Sequence, residues 1–112
     1  MMKNLFILVI IVCTHTILNA QKVYSVKYKN QADVSVFVVK YVNQAHLKVF
    51  RVEYKNQAED NNGVWFFTKY SNQAKKKIYF VDYANQADLK IYFVEYKNQA
   101  GWRDLSKKYL MY

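Results

Sequence analysis

The 112-residue chain has no proline, two glycines, one cysteine and two histidines. Without proline, no corner rests on a ring-locked φ, and no slow folding phase traces to proline isomerisation. With only Gly63 and Gly101, the usual turn makers are missing and other residues must form the corners. The single cysteine, Cys13, excludes an internal disulfide. Beyond the N-terminal stretch only His46 remains, so a zinc site built from cysteine and histidine is excluded. A serine triad would depend on that same histidine, and Ser25, Ser35, Ser71 and Ser106 lack a nucleophile-elbow motif. The reading is therefore of no enzyme, with no metal or cofactor implied.

What is present begins with a leader. Lys3 supplies a positive start, Leu5 to Cys13 is an unbroken apolar run, and Thr14 to Ala20 is more polar and ends small. That order describes a secretory signal peptide, and the run is too short to span a bilayer. Cleavage is placed after Ala20, although Leu18 is larger than the usual residue at its position. Lipid attachment at Cys13 is the less favoured alternative, because Val12 before it is bulky. The domain division is thus 1–20 as signal peptide and 21–112 as one repeat domain. Export without cysteine fits a bacterial periplasmic or secreted protein better than a disulfide-stapled one.

Charge comes next. The formal balance is +9, and the leader takes only Lys3 from it. Such a balance favours anionic partners such as surface polymers, lipid head groups or nucleic acid. The densest basic residues are Lys75, Lys76 and Lys77, then Arg103, Lys107 and Lys108. They are the candidate contacts for an anionic surface polymer or lipid. Tyr79, Trp102 and Tyr109 lie near them, and basic plus aromatic is also a footprint of single-stranded nucleic acid binding. Export argues against nucleic acid as the partner.

The dominant feature is a repeat. The triplets Asn30-Gln31-Ala32, Asn43-Gln44-Ala45, Asn56-Gln57-Ala58, Asn72-Gln73-Ala74, Asn85-Gln86-Ala87 and Asn98-Gln99-Ala100 recur every 13 residues, with one step of 16. The three extra residues are Asn61-Asn62-Gly63. A repeat at fixed period sets the architecture before any other assignment.

Each unit opens with period-two alternation. One face carries Tyr24, Val26 and Tyr28, with Phe37, Val39, Tyr41 and Tyr92, Val94, Tyr96 among its equivalents. The other face is apolar first, at Val23, Val36, Val49, Trp65, Ile78 and Ile91, and charged later, at Lys27, Lys40, Glu53, Lys69, Asp82 and Glu95. Aromatic and β-branched residues in alternation predict strands. The aromatic face is read as the buried one. The expected fold class is all-β, a single domain of six 13-residue strand-turn repeats.

The triplets read as a corner device. Asparagine tolerates the left-handed backbone region. Glutamine can satisfy backbone groups of a neighbouring segment, and alanine lets another segment pass close by. A 13-residue unit with one strand encloses no core, so units must interleave with others distant in sequence. An open β-solenoid with amide ladders is the alternative.

The tandem Tyr-x-Asn-Gln-Ala units, with the tail Gly101-Trp102-Arg103 through Tyr109-Leu110-Met111-Tyr112, resemble the septoil-knot domain family over residues 22–112. The resemblance implies a small bacterial protein whose backbone forms a seven-crossing torus knot. It carries over no catalytic or binding residues.

Three local readings remain. His46 stands where other units have an acidic residue and is read as having no special role. Glu59 to Gly63 is oxygen-rich but lacks EF-hand spacing, so it is read as a solvated loop tip. Residues 101–112 are read as a C-terminal cap, with a short helix over 103–111 that turns Leu105, Tyr109 and Leu110 inward. The function expected is a non-catalytic structural or interaction domain; the alternative is a binding module for anionic cell-surface polymers or lipids.

Overall fold

The computed structural model describes residues 20–112. The leader and the lipid alternative at Cys13 lie outside the described residues, Ala20 apart. The fold is all-β, with strands β1 (Lys22–Ser25), β2 (Val34–Val38), β3 (Leu47–Val52), β4 (Val64–Phe67), β5 (Lys76–Phe80), β6 (Leu89–Phe93) and β7 (Gly101–Trp102). The first six are mutually parallel and close into a barrel in the order β1-β5-β2-β6-β3-β4, while β7 adds to β3 in antiparallel sense.

Strands adjacent in sequence are mostly not adjacent in space. Between β1 and β2 stands β5, and between β2 and β3 stands β6. Units distant in sequence interleave, and the sheet closes on itself rather than stacking as the coils of an open solenoid. Parallel strands usually need a long crossover to return the chain to its starting level. Here stagger removes that need. Ser25 at the end of β1 and Val34 at the start of β2 both align with Ile78 of β5. Val38 and Leu47 both align with Ile91 of β6. In the steps β1 to β2, β2 to β3, β4 to β5 and β5 to β6, the new strand starts at the level where the last one ended, on the far side of one intervening strand.

The connections therefore step across a strand. Residues 26–33 leave β1 on one side of β5 and enter β2 on the other, with Val26 N–H bonded to Ile78 carbonyl at 2.9 Å and Asp33 N–H to Lys77 carbonyl at 2.7 Å. Residues 39–46 cross β6, residues 68–75 cross β1, residues 81–88 cross β2, and residues 94–100 cross β3, by equivalent bonds. Residues 53–63 cross none, because β3 and β4 pair directly. The three extra residues fall in that connection.

The core is formed by Val23, Val34, Val36, Leu47, Val49, Trp65, Ile78, Leu89, Ile91 and Met111. This reverses the expected facing. On the aromatic face, Tyr24, Phe37, Phe50, Phe66, Tyr79 and Tyr92 lie outside this core and are half-buried, while Val26, Val39, Val52 and Thr68 further along the same face are buried. The physical reason is capacity. A small barrel's interior is filled by side chains and grows with strand number, so six strands leave room for aliphatic residues and one indole. The outer aromatics are covered in part by the crossing connections.

The C-terminal segment is a 3-10 helix over Leu105–Met111 rather than an α-helix. Its geometry changes the expected cap. Met111 is buried and Leu110 packs on the core, but Leu105 and Tyr109 face solvent at 71% and 66% exposure.

Candidate functional site

Every triplet forms the same corner. The 3-10 turns are Lys29–Gln31, Val42–Gln44, Lys55–Gln57, Ser71–Gln73, Ala84–Gln86 and Lys97–Gln99. In each, the tyrosine before the turn is extended and its carbonyl accepts from the glutamine N–H, at 3.0–3.1 Å. The alanine after it is extended again. No triplet asparagine is left-handed; among the described residues only Asn61 is a non-glycine with positive φ, at 23°. That corrects the role expected for asparagine. A single 3-10 turn reverses direction with ordinary right-handed dihedrals.

The glutamines do not reach buried backbone of neighbouring segments either. All six triplet asparagines and glutamines are exposed. Gln57 Oε1 accepts from Tyr54 N–H at 3.1 Å, and Gln99 Oε1 from Tyr96 N–H at 3.2 Å, each within its own turn. Of the alanines, Ala45 is buried and the others half-buried. Gln57→Ala should then cost about 0.5 kcal/mol, the low end for one hydrogen bond, while Ala45→Leu should cost about 1–3 kcal/mol by overpacking. Denaturant midpoints compare them directly. A Gln57→Ala loss as large as that of Ala45→Leu would show that the amide holds more than its own turn.

The residue after the alanine does the joining. Asp33 Oδ2 accepts from Lys77 N–H at 2.9 Å while Asp33 N–H donates to Lys77 carbonyl. Asp88 makes the same reciprocal pair with Ser35. His46 replaces the carboxylate: its Nδ1 accepts from Lys90 N–H at 3.0 Å, and its own N–H donates to Lys90 carbonyl. His46 thus has a role the sequence reading did not give it. Accepting at Nδ1 requires the neutral ring with its proton on Nε2.

Partial burial, then Lys107 and Lys90, hold its pKa below the ordinary value, against the pull of Asp104. A depressed pKa gives stability that is present above the ordinary value near 6.5 and lost as pH falls towards the folded value. The wild-type chain should lose stability on acidification from about pH 7.5 to 5, as protonation of the ring breaks the Lys90 bond. His46→Asp, which restores the residue other units use, should remove that part of the loss. Equal pH dependence of thermal melting in both chains would refute the assignment.

The loop Glu59–Gly63 is not a solvated tip. Asn61 is buried, its Nδ2 donates to Lys108 carbonyl, and its own carbonyl accepts from Trp102 Nε1 at 2.9 Å. Glu59 carboxylate is held below its usual pKa by bonds from Lys97, then Asn62. The extra residues are a clamp point for the C-terminal segment.

The outer surface has a pattern of its own. Tyr28, Tyr41, Tyr54, Tyr70, Tyr83 and Tyr96, one per corner, are each 57–66% exposed. Tyrosine that open to water is not core. Grooves run between the connections. One of about 630 Å³ is lined by Arg51, Glu53, Lys55, Phe67, Tyr70 and Gln73, among others, and the Arg51 guanidinium lies 4.4 Å from the Phe67 ring centre.

The basic residues divide. Lys75, Lys76 and Lys77 lie at the start of β5, beside β1. Interleaving adds Lys22 on β1, Lys27 and Lys29 on the connection over β5, and Lys69 on the connection over β1. Against these seven lysines stand Asp33 and Asp60, the latter 3.4 Å from Lys75. Four of the seven were missed by counting runs along the chain. Arg103, Lys107 and Lys108 follow β7, which pairs with β3 and does not join the β1–β5 sector. Arg103 Nη1 is occupied by the carbonyls of Asn43 and Ala45, at 3.0 and 3.1 Å.

No curated protein and no solved structure matches the chain. A family model described as the 7(1) septoil knot domain matches residues 20–103. The match starts at the first described residue and runs through all six Asn-Gln-Ala corners to β7, and the chain belongs to the septoil knot domain family.

Proposed function

We propose that the protein is an exported, non-catalytic domain that presents a repeated surface to a partner, on a knotted backbone. The carrying observation is the set of six exposed tyrosines, one per corner, each beside an exposed Asn-Gln pair. A phenol and two amides offer stacking and hydrogen bonding without a reactive group. A turnover abolished by a single side-chain change, found in a broad activity screen, would sink the non-catalytic reading. Recovery of the chain only from the cytoplasm of its host would sink export.

A second reading has its own support. The β1–β5 sector sets seven lysines and two exposed tyrosines, Tyr28 and Tyr70, against two acidic residues. That sector suits an anionic cell-surface polymer, whose sugars stack on tyrosine while lysines meet its charge. Retention on an immobilised anionic polysaccharide at low salt should fall steeply with added salt. Replacing Lys27, Lys69 and Lys76 together by Gln should abolish retention, whereas replacing Lys107 and Lys108 should not. No retention at low salt removes this reading; retention on anionic lipid vesicles alone moves it from polymer to membrane.

The knot is the proposed course of the backbone. Five connections passing over strands, four of which start the next strand level with the end of the last, support a torus winding. An experimental trace that could be pulled straight by its ends would end it.

A further inference from the structure

We propose that Gln21 becomes the N-terminal residue of the exported chain and is cyclised to pyroglutamate. This rests on the exported reading above, and it adds a covalent modification at a residue with no other assigned role.

Three observations meet at the boundary between Ala20 and Gln21. The apolar and then polar leader ends at the small residue Ala20. The family match begins at residue 20. Among the described residues Gln21 is the first fully buried one, with no exposed surface. Its backbone is built into the fold on both sides: its N–H donates to Glu59 carbonyl at 2.9 Å, and its carbonyl accepts from Phe66 N–H at 3.0 Å. Its side chain is equally enclosed, with Nε2 donating to Met111 carbonyl at 3.1 Å and Oε1 buried without a partner.

Cleavage before such a residue creates a difficulty. The amide N–H at position 21 becomes an ammonium with three hydrogens, facing one carbonyl acceptor at the half-buried place that Ala20 leaves. A buried, under-partnered charge is costlier than a lost neutral hydrogen bond. The alternatives are to pull Gln21 out of the barrel end or to remove the charge.

Glutamine can remove it without any co-reactant. The freed α-amine, as its neutral form, attacks the side-chain carbon Cδ. The new N–Cδ bond closes a five-membered lactam, the Cδ–Nε2 bond breaks, and Nε2 leaves as ammonia with a proton from the amine. Nothing is oxidised or reduced. The lactam nitrogen keeps one hydrogen, which is the number that Glu59 carbonyl accepts here. The bond to Met111 carbonyl is given up. Because the folded site holds Nε2 on Met111, ring closure belongs to the interval between leader removal and docking of the C-terminal segment.

The test is the intact mass and N-terminal sequencing of the full-length gene product, recovered promptly from the exported fraction. The expected result is a chain of residues 21–112, lighter by one ammonia and blocked to stepwise N-terminal degradation. A chain of residues 21–112 with full mass and a free amine overturns cyclisation and leaves export standing. A chain starting elsewhere overturns the assignment of Gln21. A full-length chain found only in the cytoplasm overturns export as well. A second measurement reads the charge. Gln21→Asn does not form this ring, so its amine stays free, and its melting temperature should drop below wild type as pH falls through the α-amine range near 8. A free-amine variant that melts like wild type from pH 9 to 6 also overturns the proposal.

Discussion

Gly63→Ala is expected to cost about 2–5 kcal/mol, combining left-handed strain of about 1–2 with overpacking of about 1–3. Gly63 has φ +91°, and a Cβ there would lie 2.4 Å from the Lys48 carbonyl oxygen, 3.1 Å from Gly101 N and 3.2 Å from Leu47 Cδ1. The closest of these is backbone in β3, so no side-chain rotation relieves it. Nor can the loop shift freely. Gly63 carbonyl accepts from Phe50 N–H at 2.8 Å, and Asn61 is pinned by Trp102 and Lys108. Against a typical domain stability of about 5–15 kcal/mol, such a loss is a large part of the total. Gly101→Ala is the control. Its φ of +149° also favours glycine, but nothing lies within 4 Å of its Cβ position. It should cost the backbone strain alone. Denaturant unfolding of both variants decides the matter, and a Gly63→Ala chain within 1 kcal/mol of wild type, on the scale of an ordinary surface change, would show that the loop relaxes.

Why this glycine matters was only half legible in the sequence. The extra Asn61-Asn62-Gly63 stood out as a break in the register. Its burial did not, because polar letters suggest solvent, and the groups that enclose it come from 40 or more residues further on, at Trp102 and Lys108. The strands and their interleaving followed from alternation and from the inability of a short unit to enclose a core. The facing of the strands did not follow. Period two says that two faces differ but not which one turns inward, and here both are apolar at the start because connections cover the outside. The role of the Asp position was readable in principle. Asp33, His46 and Asp88 all accept from a neighbouring strand's N–H, and a histidine is one of the few residues that can do so in place of a carboxylate. The lysine sector was hidden by topology. Lys22, Lys27, Lys29 and Lys69 join Lys75, Lys76 and Lys77 only because β5 lies beside β1.

If the backbone is knotted as proposed, refolding is expected to be slower than for an unknotted all-β domain of this length, with a time constant beyond the milliseconds to seconds that non-local topology alone gives. The parallel pairs of the barrel join residues far apart in sequence, such as Val23 with Lys76 and Val34 with Ile78, so no hairpin nucleates the sheet. Loop-closure entropy must be met before these contacts form. The connections then have to lie across strands already in place, as residues 94–100 lie across β3. The last of them leads into the segment that finishes the barrel. Met111 is fully buried in the core, so the C-terminal segment must dock to complete it. This C-terminal segment is short enough to be the threaded end. A soluble fusion partner after Tyr112 should then slow refolding markedly, because the partner must follow the end through. The same partner ahead of Ala20 should slow it far less. The chain has no proline, so a slow phase cannot be assigned to isomerisation. Equal refolding rates for the two fusions, measured by the recovery of Trp65 and Trp102 fluorescence after dilution from denaturant, would show that no end is threaded. In that case the connections reach their places over the strands without passage of a terminus.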